Sequence, residues 1–285
     1  MSKSVLLKSS IAKKYWMAFT GLFLCLFLVG HLLGNLQLFT PGEAGRRAFN
    51  EYAYFMQHNP LIKVMSYITY LSILFHAIDG ILLAVQNKKA RPVQYAMSNA
   101  ASNSSSASRK MAVLGSIIFI FIVTHMVNFW AKMHFGGLKL HTYEVSVPGQ
   151  MGEQKQAFYY THDFSTQPIP VVKEIVVKDE FDLYLAKPEI KIGRGYKDLH
   201  SAVLAFFGKS SNGIEANPLA WLGVLLYTIS MAVLSFHLMH GFAAAFQSLG
   251  LRHPRYTALI GNIGKGFAII VPTLFAIIPL YIFFS

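Results

Sequence analysis

The sequence is poor in cysteine, which narrows the redox chemistry open to it. Cys25 is the one cysteine among 285 residues, so the chain cannot form an internal disulfide. An iron–sulfur cluster needs several thiolate ligands, so a single cysteine also excludes a cluster held by this chain alone. A redox metal bound here would therefore depend on histidine.

Charged residues, and acidic ones in particular, are also scarce. They make up 13% of the chain, against about 25% in ordinary soluble domains, while 54% of the residues are hydrophobic. The 25 basic residues outnumber the 13 acidic ones, but they lie mostly in short segments between apolar runs. That placement is the orientation signal of a membrane protein. We therefore expect a membrane protein and no nucleic-acid partner.

Five apolar runs reach the length of about 20 residues that crosses a bilayer. The first run follows a lysine-rich segment, but it is too long for a signal peptide and lacks a small-residue cleavage site, so we expect a retained helix. The sequence thus predicts an all-α membrane protein with five transmembrane helices and an outer loop insertion. The predicted spans are residues 15–39, 61–86, 111–133, 218–248 and 264–284.

Basic residues set the predicted orientation. They cluster before the first span, between the second and third, and between the fourth and fifth, which alternate crossing places on one side. The positive-inside rule makes that side cytoplasmic and leaves the C-terminus outside. The Ser/Asn/Ala-rich stretch 94–109 is typical of a flexible connector, with a docking surface for a soluble partner as the alternative.

A long hydrophilic segment divides the chain. We expect helices I–III in residues 1–133, an extracytoplasmic insertion in 134–216 and helices IV and V in 217–285. The insertion is too long for a structureless loop.

Within the insertion, β-branched and aromatic residues predict short strands in 143–147 and 171–185. Residues 196–207 resemble an amphipathic helix on the membrane surface. The insertion carries no metal or nucleophile motif, and we expect it to be a structural extension. Its histidines lie among polar residues and are expected to be solvated: His134, His141, His162 and His200.

Histidines inside apolar runs are costly and usually functional. At a helical rise of about 1.5 Å per residue, His31 lies about 15 Å from Pro41 and His125 about 10 Å from Lys132, near the outer ends of their spans. His76 lies about 24 Å from Pro60 and His237 about 28 Å from Pro218. The four form an outer pair and an inner pair, each with one histidine from each of two helices. His240 shares the fourth span with His237.

Two histidines at one depth on facing helices can ligate a haem iron from both sides, and a four-helix bundle can hold such sites in its core. A proton-coupled transporter, or purely structural hydrogen bonding, would be the alternatives. A haem needs small residues nearby, although small residues also permit plain helix contact. The candidates are Gly30 and Gly34 beside His31, Gly80 four residues after His76, and Gly241 four residues after His237.

Polar neighbours could orient the ligands or contact haem propionates. Asn35 and Asn128 lie four and three residues after the outer histidines. On the fourth span His237 is the preferred iron ligand, because it has a glycine at i+4 as His76 does. His240 is then expected to contact the ligand or a propionate.

Several motifs together resemble a known family. They are GHLLGNLQLF (30–39) with FNEYAYFM (49–56), FHAIDGILLAVQN (75–87), ARPVQYAM (90–97) with SRKM (108–111), FIVTHMVNFW (121–130), YKDLHSAV (196–203) and FHLMHGFAAAFQSLGLRHPRY (236–256). In combination they resemble the di-haem cytochrome b membrane subunit of bacterial succinate dehydrogenase/fumarate reductase. The resemblance spans nearly the whole chain and weakens over 141–195.

The resemblance implies a five-helix anchor whose helices I–IV surround two stacked haems b. Carried over residue by residue, the distal haem iron is ligated by His31 and His125, and the proximal one by His76 and His237. It also implies a bacterial cytoplasmic membrane location. A flavoprotein subunit with FAD and an iron–sulfur subunit would dock on the cytoplasmic face, and a lipid quinone, usually menaquinone, would be the substrate.

The implied role is an electron path between succinate and quinone. A quinol:fumarate reductase anchor, or a stand-alone di-haem quinone-reactive cytochrome, is the alternative. The resemblance also leaves open whether the complex forms a higher oligomer.

Two acidic residues stand out. Glu51 lies just before the second span on the outer side and is a candidate proton group for a quinone site, with a solvated loop carboxylate as the alternative. Asp79, three residues after His76, could pair with a basic group. Some relatives carry an acid shortly before the ligand histidine of the fourth span, where this chain has Leu234 and Ser235, so a proton path through such an acid is not expected.

Overall fold

A computed structural model describes residues 9–90, 93, 106–149, 152–162 and 167–285. Most of the predicted connector 94–109 lies outside the described residues. Within them, five helices are long and apolar enough to cross a membrane. The prediction of a mostly helical membrane fold is therefore confirmed, and the helices indicate a multi-pass membrane protein.

The membrane-spanning helices match the predicted spans. The first is α1 (Ser10–Asn35), which continues as a 3-10 turn (Leu36–Phe39), and the second is α3 (Pro60–Ala90). The third runs from α5 (Met111–His125) through a π-helical turn (Met126–Trp130) into α6 (Ala131–Phe135). The last two are α8 (Ala220–Ser248) and α9 (Thr257–Phe284).

Three shorter helices complete the described helical part. They are α2 (Gly42–His58), α4 (Ser106–Arg109) and α7 (Leu199–Phe206). The sequence predicted α7 within 196–207, and the structure confirms it. It did not predict α2, which fills the connection between the first two spans and carries Glu51.

Local sequence explains the ends of α3 and the course of α9. Pro60 opens α3, where its missing N–H costs nothing, and Lys88 and Lys89 lie in the last turn, where cations interact favourably with the helix dipole. Pro272 and Pro279 lie inside α9, as transmembrane helices tolerate when neighbouring groups satisfy the freed carbonyls.

The chain forms two compact units. The first comprises Met1–Leu33, Pro60–Val123 and Leu225–Leu280, and the second comprises Gly34–Asn59, Thr124–Val224 and Tyr281–Ser285. In the first unit, α1, α8 and α9 share a buried cluster. Its buried members are Cys25, Met231, Leu234, Leu238 and Ala268. Many other apolar side chains of these helices are exposed, as expected of surfaces that face lipid.

The second unit holds two antiparallel three-stranded sheets. One contains β1 (Thr142–Gly149), β2 (Gly152–Tyr159) and β3 (Ile169–Pro170); the other contains β4 (Ile175–Lys178), β5 (Asp182–Leu185) and β6 (Ile190–Arg194). The strands expected in 143–147 and 171–185 are therefore present. Leu140, Ile169 and Leu183 form the buried core of this part.

Candidate functional site

The inner histidine pair comes together inside the first unit. His76 projects from α3 and His237 from α8, and their ring centroids are 6.2 Å apart with the ring planes at 68°. An imidazole nitrogen binds a metal at about 2 Å, so two rings that ligate one metal from opposite sides have centroids roughly 6 Å apart. The separation of these two rings fits that arrangement.

Two glycines on other helices of the same unit contact these rings. A Cβ at Gly21 of α1 would lie 3.1 Å from Cε1 of His76, and one at Gly115 of α5 would lie 3.6 Å from Cε1 of His237. At these two positions, neither helix places a side chain against a histidine ring.

The glycines named from the sequence do not contact the two histidine rings, and their place beside a haem stays a prediction. A Cβ at Gly80 would meet nothing within 4 Å, and one at Gly241 would meet only the Met111 side chain at 3.9 Å. The helical rise could have found the two glycines that contact the rings, since Gly21 lies about 30 Å from Pro41 and Gly115 about 26 Å from Lys132. Those depths match the inner histidines.

The residues around this pair fit a bis-histidine haem. The 6.2 Å separation of the rings and the glycine backbone beside each ring support this fit. Among the described residues no three His, Cys, Asp or Glu side chains form a group that could hold a bare metal ion. Two imidazoles alone suit a metal that brings its other ligands with it, as haem iron does.

Two further polar residues named from the sequence lie one helical turn after the inner histidines. His240 lies three residues after His237 on α8, and Asp79 lies three residues after His76 on α3; both are partly buried. Leu234 packs in the buried apolar cluster of the first unit.

The outer histidines pack among aromatic rings. In the first unit, the His31 ring stacks on Phe27 at 5.3 Å between centroids and lies 5.6 Å from Phe275 of α9. In the second unit, His125 contacts Phe129 edge-on at 5.5 Å. His125 also ends α5 directly before the π-helical turn, and π turns are frequent at functional sites.

The polar and small residues named beside the outer pair take different roles. Asn35 and Asn128 are partly buried, and Asn128 lies within the π-helical turn. A Cβ at Gly30 would meet nothing within 4 Å, but one at Gly34 would lie 2.4 Å from Cε1 of Tyr52. Gly34 therefore lets α1 pack closely against α2. Such helix contact was the alternative to making room for a haem.

Two histidines expected to be solvated are buried in the second unit. His141 is 0% exposed and His200 5% exposed, so that prediction was wrong for both, whereas His134 and His162 are exposed as predicted. Burial lowers the pKa of His200 to about 4. Burial, with the Arg46 charge, also lowers the pKa of His141, against the opposing effect of Glu43.

The physical reason is a buried polar network centred on Asp198. Its carboxylate accepts hydrogen bonds from Arg46 Nε and Nη2 at 3.1 and 2.7 Å, and from Asn50 Nδ2 at 2.9 Å. It also accepts from Asn212 Nδ2 at 2.7 Å and from the Ser201 backbone N–H at 3.1 Å. Burial alone would raise the pKa of Asp198, but the bonds from Arg46 and Asn50 lower it to about 2.

Glu51 lies on α2 within a second set of interactions. Arg47 Nε donates to its carboxylate at 3.0 Å and the Tyr160 hydroxyl donates a short hydrogen bond to the same oxygen. Burial raises the pKa of Glu51, but these two donors outweigh it and the net shift is downward. Burial and the bond to Glu51 raise the pKa of Tyr160. Glu51 is therefore an ion-paired carboxylate, not a freely solvated one.

Glu51 also lines an open cavity in the second unit. The cavity has a volume of about 390 Å³, and most of its walls are aromatic or imidazole rings. The other lining residues are Tyr54, Phe55, His58, Asn59, His162 and Tyr196. The Tyr54 ring contacts two imidazoles, with centroids 3.8 Å from His58 and 4.3 Å from His162.

Comparison with known proteins assigns no family. No protein-family model, curated protein or solved structure matches this chain. The resemblance carried by the sequence motifs therefore stays a prediction, and the case for a function rests on the histidine geometry.

Proposed function

We propose that this chain is the membrane-anchor cytochrome b subunit of a succinate:quinone oxidoreductase. It would carry electrons between an iron–sulfur subunit and a membrane quinone through two haems b. The observation that carries the proposal is the meeting of His76 and His237, with glycine backbone beside each ring. The motif resemblance supports the second haem site and the partner subunits.

Four histidines would hold the two groups: His76 and His237 at the inner site, His31 and His125 at the outer one. Bound haem iron supplies one-electron exchange, whose potential depends on ligands, hydrogen bonds and burial. The chain contributes the ring nitrogens and an apolar surround that excludes water. In the first unit that surround includes the aromatic rings packed against His31.

The basic loops support a direction for the path. On α3, His76 lies about 18 Å from Lys88 along the helix axis, so the inner pair is the one nearer the basic side. We place that side in the cytoplasm of a bacterial cell, with the N-terminus, and the C-terminus outside. The flavoprotein and the iron–sulfur subunit would dock there.

We place the quinone, usually menaquinone in this class, at the cavity beside Glu51. A quinone headgroup is flat and exchanges protons as it exchanges electrons, and this cavity combines aromatic walls with imidazoles and a carboxylate. The lowered pKa of Glu51 keeps it ionised at neutral pH. Glu51 would therefore act by accepting a proton, or by holding the Tyr160 hydroxyl in place.

Replacing Glu51 with glutamine is expected to lower quinone turnover by at least tenfold and to leave both haem bands unchanged. The amide keeps the shape of the side chain but cannot accept a proton, and positioned acid–base groups contribute about 10²–10⁴ in rate. The measurement is quinone-dependent oxidation or reduction of the haems in membranes. Glu144→Gln is the matched control, because Glu144 is an exposed acid on β1. Unchanged turnover in Glu51→Gln would exclude Glu51 from the site.

The visible spectrum of the purified membrane complex tests the proposed function itself. We expect a reduced-minus-oxidised spectrum of b haems and a pyridine haemochrome count of two haems per chain. A count of one would mean that one histidine pair binds no haem. A featureless spectrum from intact protein would overturn the proposal and favour a proton path through the histidines. Haem without co-purifying flavin would favour a stand-alone cytochrome.

A further inference from the structure

A polar side chain from α1 touches the inner histidine pair. Thr20 is 3% exposed, and its Oγ1 lies 3.3 Å from Nδ1 of His76. Both residues belong to the first unit. Since a buried hydroxyl beside an imidazole must donate or accept, the direction of this hydrogen bond decides which ring nitrogen of His76 carries its proton.

The neighbours of Thr20 settle the direction. A hydroxyl has one hydrogen, and the Trp16 and Met17 carbonyl oxygens lie 2.9 and 3.2 Å from Thr20 Oγ1. Carbonyl oxygens only accept, so the threonine hydrogen points back into its own helix. The lone pairs of Oγ1 are then left for His76, and Nδ1 must donate. Nε2 of His76 consequently carries the free lone pair.

We propose that Thr20 is a positioning residue that holds His76 in the Nδ1–H tautomer and makes Nε2 its iron-binding nitrogen. The inference rests on the proposed function, because it concerns a haem ligand. Metal-ligating histidines commonly donate their other N–H to a nearby acceptor, which fixes the ring and raises its basicity. The adjacent Gly21 leaves room for the ring, since a Cβ there would be only 3.1 Å from Cε1 of His76.

The two proposed inner ligands, His76 and His237, differ in the hydrogen bonds that their rings make. The His76 ring bonds the Thr20 oxygen and also the Met17 backbone, whereas the buried Nδ1 of His237 has no hydrogen bond within the described residues. His76, on α3, would therefore donate more electron density to the iron than His237, on α8. Removing the threonine oxygen should weaken that donation and favour the reduced haem, because a less basic ligand stabilises Fe(III) less.

The test is Thr20→Val, which keeps the side-chain shape and removes the acceptor. We expect two haems per chain, as in the unaltered protein, and a shift of one haem toward reduction by about tenfold, which is about 59 mV for a one-electron couple. The measurement is a redox titration of the b bands, with the low-spin ferric EPR signal of the same haem as a second readout.

Two variants separate the hydroxyl from mere packing. Thr20→Ser keeps the acceptor and should retain the original potential. Thr69→Val removes another buried hydroxyl of the same unit, which donates to the Met65 carbonyl at 2.9 Å, and should leave both potentials unchanged. If Thr20→Val loses the inner haem and Thr20→Ser keeps it, the positioning role is also supported.

The outcomes that overturn this inference differ from those that overturn the proposed function. Unaltered protein without haem contradicts the proposed function and this inference with it. Two haems with unchanged potentials in Thr20→Val contradict the positioning role alone. Equal shifts in Thr20→Val, Thr20→Ser and Thr69→Val also contradict it, because they would reflect helix packing.

Discussion

Replacing Asp198 with alanine is expected to destabilise the second unit by about 3–5 kcal/mol, the usual cost of breaking a buried ion pair. The Asp198 side chain is fully buried, and the Arg46 side chain is only 10% exposed. Without Asp198, Glu43, whose side chain is 52% exposed, is the one acid left to pair with the guanidinium among the described residues. Two asparagine amides and the first turn of α7 also lose their acceptor.

Limited proteolysis of the hairpin formed by β1 and β2, followed over a temperature series, measures the loss of stability of the second unit. The control is Glu189→Ala, because Glu189 forms an ion pair with Lys178 in which both side chains are well exposed. Exposed pairs contribute about 0–1 kcal/mol, so this variant should behave like the unaltered protein. Equal protease resistance in Asp198→Ala would show that the buried network does not hold the unit together.

The same carboxylate makes the second unit sensitive to acid. Its folded pKa of about 2 lies below the ordinary value of 3.8, so the folded state binds its proton less readily than the unfolded state. The stabilisation, about 2 kcal/mol for such a shift, is complete above pH 4 and is lost as the pH falls toward 2. In Asp198→Ala this part of the acid dependence should be absent.

The membrane spans could be predicted because a bilayer fixes the length and polarity of a spanning helix. The connection carrying Glu51 offered no such rule. Its helix, α2, buries Arg46, Phe49 and Asn50, which lie at i, i+3 and i+4 on one face. Two of those three are polar, so their spacing gives no apolar stripe, and their burial depends on partners far along the chain.

Long-range partners also explain the errors over His141 and His200. Both lie among polar residues in the sequence, which argued for solvation. In the structure, Asn50 Oδ1 accepts from the His200 backbone N–H at 2.9 Å, across 150 positions, and His141 bonds Glu43 across 98 positions. A local pattern carries no information about such a network.

Part of the candidate site followed from the sequence and part did not. The fixed rise of a helix sufficed to pair His76 with His237, because depth is a one-dimensional quantity. The small residues beside the rings depend on how neighbouring helices are rotated. A glycine at i+4 identifies a face of its own helix only, whereas Gly21 and Gly115 approach from α1 and α5.

Replacing His237 with alanine is expected to lower the haem content from two haems to one per chain. Alanine supplies no ligand, and the inner site then keeps only His76. His76→Ala should give the same count, because both histidines would ligate one iron. The measurement is the pyridine haemochrome count per chain, together with the amplitude of the b band in the reduced spectrum.

The double variant His76→Ala/His237→Ala tests the pairing itself. Residues that act as a unit are not additive, so the double variant should still hold one haem, at the outer site. Complete loss of haem in the double variant, with one haem in each single variant, would place the two histidines at different irons. His240→Ala is the matched control, since it removes an imidazole one turn along α8 and should leave two haems. If His240→Ala loses a haem while His237→Ala keeps both, His240 is the ligand and the choice made from the i+4 glycine is wrong.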